Sequence, residues 1–295
     1  MKTVPQRTRS RGISLVEILI SLVIGLVIVG AVLISMIGSG KAGRYQAAYT
    51  QMNEDAQIGL SILSRELQQA GYSSPTGLVA GAPFPAPPTQ VLQFASLAGS
   101  TPVIGCDTGF TNPGAAVGVV LACDTGTVAA FEVVYEADVR STAATAAGAP
   151  TDCLGRTIGG IAPFIARNRY FRTFSASGRP ELSCISAGAA GGSQPLLENI
   201  EAMAIWYGVE VPGTPPPAQV VRYVTATQIR AVGPAEWFNV ISVRVCLLVR
   251  SSEPVLDTLE DTVAYTDCSG APGPLNDRYL RRAYFTTAAI RDRMP

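Results

Sequence analysis

Residues 18–40 are 23 consecutive uncharged side chains, mostly Leu, Ile and Val, inside the longer stretch ISLVEILISLVIGLVIVGAVLISMI that begins at Ile13. At about 1.5 Å of rise per helical residue, such a run crosses a hydrocarbon layer of about 30 Å. A secretory signal would carry an apolar region of roughly 7–15 residues ahead of a small-residue cleavage site. This run is longer and ends at Lys41, so it reads as a retained membrane segment. Lys2, Arg7, Arg9 and Arg11 precede it with no acidic residue among the first twelve. The positive-inside preference therefore places residues 1–12 in the cytoplasm and the rest of the chain outside.

The whole chain is formally neutral, with 22 basic and 22 acidic residues among 295, but without the basic leader it carries a net charge of about −4. A nucleic-acid partner is excluded on that charge. The chain has no His, which removes Ser-His-Asp and Cys-His catalysis and the usual imidazole zinc sites. At 47% apolar and 15% charged it has material for a core, which argues against disorder. Six Cys, all beyond the membrane segment, suit an oxidising compartment such as a periplasm.

Glu17 sits four residues into the apolar run, where a charge at mid-bilayer costs roughly 2.5–3.5 kcal/mol. One reading is a carboxylate snorkelling at the cytoplasmic interface. The other is a functional anion awaiting a cation that this chain does not supply. Arg11-Gly12-Ile13-Ser14-Leu15-Val16-Glu17 resembles the class III leader junction of type IV prepilins and type II secretion pseudopilins. That resemblance implies cleavage between Gly12 and Ile13 by a prepilin peptidase, and methylation of the new amine on Ile13. It also implies that Glu17 pairs with the terminal amine of a neighbouring subunit, so that burying the carboxylate is tolerated only on assembly. Small residues at Ser21, Gly25, Ala31, Ser35, Ser39 and Gly43 would permit close helix approach.

No Pro occurs between Pro5 and Pro75. Beyond Lys41, Tyr45, Tyr49, Met52, Ala56, Leu60, Leu63 and Leu67 recur at spacings of three and four, which marks one helical face. Gly71 supplies a stop. A helix over residues 13–70 would be about 85 Å long, unless it breaks at the glycines of 38–43. Strands are expected at 91–95, 116–122, 128–135, 165–174, 203–211, 220–226, 240–250 and 284–291. The expected divisions are a cytoplasmic leader (1–12), a membrane and assembly half-helix (13–40), an amphipathic half-helix (41–71) and a disulfide-bonded head (72–295).

Several segments of the head resemble the PilW minor pilins. They are Asp152-Cys153-Leu154-Gly155, the stretch from Pro195 through Met203 into Trp206-Tyr207-Gly208, Val243-Arg244-Val245-Cys246-Leu247-Leu248, and the closing Arg281-Arg282-Ala283-Tyr284-Phe285. Pseudopilin J of type II secretion shares the plan and is the alternative. The resemblance implies an α+β, pilin-like fold: a long spine helix whose outer half packs on a mainly antiparallel β-sheet head. Six Cys allow 15 pairings; neighbour pairing (Cys106–Cys123, Cys153–Cys184, Cys246–Cys268) is the simplest. The resemblance favours Cys153–Cys184 in particular.

Two Cys-Asp-Thr-Gly repeats, at Asp107 and Asp124, mimic the aspartic protease triplet, but that chemistry draws its two carboxylates from separate lobes. Two similar turns beside a disulfide are the simpler reading, Asp and Gly being favoured turn residues. Asp257, Glu260, Asp261 and Asp267 match no standard calcium loop. Arg278, Arg281 and Arg282 would pair with that acidic turn or contact another pilin. The expectation is therefore a structural subunit, with no catalytic residues, metal or cofactor. It would lie in the inner membrane with a periplasmic head and then join a priming or tip complex of the pilus. Its partners would be other minor pilins, the major pilin, the prepilin peptidase, the assembly platform and membrane lipid.

Overall fold

The computed structural model describes residues 12, 14–73, 100–117, 119–139, 141–160, 162–187, 192–211, 219–256, 265–273 and 277–291. The expected strand at 91–95 and residues 1–11 of the leader lie outside them. The chain divides into two compact units, Met1–Ala47 and Ala48–Pro295. Helix α1, Leu15–Gln69, belongs to both and continues through the glycines at 38–43 without interruption.

In the first unit α1 is long and apolar enough to cross a membrane, with a mean hydropathy of 3.0 over its most apolar 18 residues. Its large side chains from Leu15 to Ile37 are all more than half exposed. A helix apolar all round and uncovered by protein is suited to lipid or to neighbouring helices.

The second unit places the end of α1 against two antiparallel sheets. The first has the order β1 (Val103–Cys106), β2 (Ala130–Glu136), β3 (Ile165–Phe174), β4 (Pro180–Ser186) and β5 (Gln194–Glu198). The second runs β7 (Arg222–Val224), β6 (Ile200–Val209), β8 (Val240–Arg250) and β9 (Arg281–Ala289). The chain changes sheets at one residue, Asn199, with φ of 64°. Asn tolerates this left-handed conformation better than other side chains with a Cβ. Met52, Ala56, Leu63 and Leu67 are buried along one helical face, as their spacing predicts, and Gly59 joins them. A Cβ on Gly59 would meet Leu197 of β5 at 2.7 Å and Leu247 of β8 at 3.0 Å, so α1 lies where the two sheets converge. Gly71, with φ of 79°, follows the helix end, and its N–H donates to Val134.

Strands β3 and β8 occupy their expected spans. The described residues of 116–122 form a loop instead: Ala116 O accepts from Val119 N–H in a turn, Leu121 O accepts from Arg230, and Ala122 O accepts from Thr111 N–H. This leaves Val117, Val119 and Val120 exposed. The strand expected at 220–226 is shorter, since Thr225 and Gln228 form a capping box that starts α2 (Ala226–Val232). Strands β6 and β9 each begin three residues earlier than expected. Strands β1, β4 and β5 were absent from the expected set. In β4 the polar Glu181 and Ser183 are buried, so no apolar alternation marks it.

Candidate assembly segment and buried polar groups of the head

Helix α1 starts just after Ser14, whose carbonyl accepts from the N–H groups of Glu17 (3.0 Å) and Ile18 (3.2 Å). Glu17 therefore stands in the first turn, where the helix dipole favours an anion. Its carbonyl accepts from Ser21 Oγ at 2.7 Å. Among the described residues no cation approaches its exposed carboxylate. Gly12 is exposed, and Ile13 lies outside the described residues.

The charges of the head are tied into its folding. Arg169, 2% exposed, donates to Glu132 at 2.6 Å and to the carbonyls of Pro113 (2.7 Å) and Ala115 (2.6 Å). Arg281 holds Glu201 at 2.6 Å and Asp277 at 2.6 and 2.7 Å. Among the described residues, the acidic partners of Arg281 are Asp277 and Glu201 of this chain. Asp267 accepts from the N–H groups of Ser269 (2.8 Å) and Ala271 (3.0 Å), closing its own turn. Asp257, Glu260 and Asp261 lie outside the described residues. Among the described residues no cluster of three or more ligating side chains could hold a metal.

The two Asp-Thr-Gly triplets diverge in role. Asp107 accepts from the backbone N–H groups of Ala226 (3.0 Å) and Thr227 (2.8 Å), which leaves it capping α2 from a distant part of the chain. Asp124 accepts from Gly126 N–H at 2.7 Å in an Asx turn. In the structure the cysteines pair as Cys106–Cys123, Cys153–Cys184 and Cys246–Cys268.

Sequence reasoning missed Glu66, which points from α1 into the first sheet. Asn168 Nδ2 donates to it at 3.0 Å, and Asn168 Oδ1 accepts from Cys153 N–H at 3.2 Å. Burial raises the Glu66 pKa, while the Asn168 hydrogen bond opposes that shift. Burial and the nearby Glu66 charge push the Tyr170 hydroxyl well above the usual phenol range. A carboxyl with a raised folded pKa binds its proton more tightly than in the unfolded chain. Its stabilising effect is complete below its ordinary 4.5 and is lost as pH rises through the folded value. Glu66→Gln keeps an acceptor for Asn168 and removes the titration. Melting curves from pH 4 to 8 should therefore show the variant gaining on the wild type as pH rises; parallel curves would contradict this assignment.

A model of the prokaryotic N-terminal methylation motif matches residues 7–33, spanning Gly12 to Glu17. A second, described as type IV pilus-assembly protein W (PilW), matches residues 169–292, from β3 through β9. Residues 169–292 thus carry the pattern of the PilW family. The chain's apolar helix and methylation motif make it a membrane-anchored pilin. No curated protein matches it. Among solved structures, a type IV-like pilin from Thermus thermophilus is similar at 14% identity, covering 82% of this chain and 98% of that one, with a TM-score of 0.36. The region that the PilW model matches includes the Arg169 and Arg281 networks, and two of the three disulfides lie wholly or partly within it.

Proposed function

We propose that this chain is a PilW-family minor pilin that helps initiate type IV pilus assembly within a priming or tip complex. Prepilin peptidase cleaves between Gly12 and Ile13, and the amine of Ile13 is methylated. Glu17 of the inserted subunit then pairs with the terminal amine of its neighbour. The observation that carries this reading is Glu17, a carboxylate without a cationic partner among the described residues, at the start of a helix whose large apolar side chains from Leu15 to Ile37 are all more than half exposed. In lipid an unpaired anion is costly, so pairing it with an ammonium rewards correct register. The partners would be other minor pilins and the major pilin. The head, exported to the periplasm, would hold its three disulfides there.

Glu17→Ala should leave the protein in the inner membrane, processed at Gly12, while surface pili and twitching fall to the level of a gene deletion. Wild-type piliation in the variant, or a mature protein still bearing residues 1–12, would overturn the proposal. A deletion that spares pili but blocks protein secretion would reassign the chain to the pseudopilin J reading.

A further inference from the structure

A trough of about 1500 Å³ runs along the head, entirely within the second unit. Its floor is the polar flank of α1, including Ser61, Ser64 and Gln68. One wall is the loop carrying Ser141 to Gly155, and the other is Phe285 and Thr286 of β9. Of the second sheet the trough touches only β9, the outer strand of the order β7-β6-β8-β9. That side of β9 therefore faces the trough, and among the described residues no strand pairs with it. Among the described residues, alternate N–H and C=O groups along this side have no ladder partner, the condition under which another strand can add. From Ala283 to Ala289 the strand is uncharged, with aromatic and Thr side chains that suit a sheet.

The trough also has a sign. Arg65 and Arg291 border it, and among the described residues neither has a carboxylate at ion-pair distance. Arg291 is oriented by Gln68, whose Oε1 accepts from it at 2.8 Å. The two acids of the trough are already engaged. Asp152 holds Arg156 at 3.0 Å and accepts from two backbone N–H groups, while Glu66 is turned inward to Asn168. The lining is hydroxyl and amide more than apolar, so it lacks the spaced anchors an amphipathic helix needs. An extended chain satisfies such a site through its backbone.

We infer that this trough receives an extended, acidic segment of another polypeptide, which adds to β9 as an outer strand with its carboxylates near Arg65 and Arg291. The inference concerns the head alone, and its test requires no pilus, so it stands or falls apart from the assembly reading.

The probes are fluorescein-labelled heptapeptides, ETVTVTE and its basic counterpart KTVTVTK, titrated by anisotropy against the full chain in detergent. The acidic peptide should bind at least about tenfold more tightly. Arg65→Glu combined with Arg291→Glu should reverse that preference. Thr286→Pro and Thr287→Pro divide the two backbone directions, since of two adjacent N–H groups one faces β8 and the other the open side. The variant that keeps the wild-type urea midpoint should lose peptide binding. Neither peptide binding up to about 1 mM, equal binding of both, or a charge-reversed double variant with unaltered preference would overturn the inference. So would a concentration-dependent dimer that ETVTVTE does not dissociate, which would assign the edge to a second copy of the chain.

Discussion

Arg169→Met should lower the stability of the head by about 3–5 kcal/mol, the range for stranding one member of a buried ion pair. The side chains of Arg169 and Glu132 are 2% and 6% exposed, and their contact is 2.6 Å. Without Arg169, the nearest described cation to Glu132 is Arg167 at 3.9 Å, which Ser100 also engages. The substitution also removes the donors to Pro113 O and Ala115 O, so the base of the 113–122 loop loses its anchor. Arg169→Met combined with Glu132→Leu should recover part of the loss, because it removes the stranded charge along with its partner. Urea unfolding followed by the fluorescence of Trp206 and Trp237 measures both. A single variant within about 1 kcal/mol of wild type would show that Glu132 is not held as a buried anion.

The second large effect concerns Cys153 and Cys184, which close a loop of 31 residues. In the chain-entropy model this closure is worth about 4 kcal/mol, more than the shorter loops of the other two pairs. Cys184 is fully buried in β4, and the Cys153 N–H binds the Asn168 side chain that in turn holds Glu66. Cys153→Ala combined with Cys184→Ala should therefore lower the urea midpoint under oxidising conditions and shift it far less in reductant, where the wild type has lost the same bridge. Equal midpoints for variant and wild type without reductant, or a non-reducing peptide map linking Cys153 to another cysteine, would refute the pairing.

Hydropathy and spacing along the chain were enough for the membrane-length helix, its buried face at Met52, Ala56, Leu63 and Leu67, and strands β3 and β8. Each of these is a local property, since a helix or a buried strand repeats its apolar positions within a few residues. Strand β4 escaped because Glu181 and Ser183 are buried among its apolar neighbours. The apolar run at 116–122 misled because apolar content does not choose between a strand and an exposed loop. Its backbone partners are a turn between Ala116 and Val119, the Thr111 N–H, and Arg230 far along the chain.

Sequence by itself determined that an apolar helix bearing a lone carboxylate at Glu17 leads this protein, because charge and hydropathy belong to each residue wherever it folds. Only the tertiary structure decided that two sheets meet α1 at Gly59, that Asp107 caps a helix 119 residues away, that Glu66 meets Asn168 and that Arg169 is buried. Those outcomes depend on pairs of groups brought together by long-range folding, where the loss of hydration on burial must be offset by a specific partner. No local pattern names that partner.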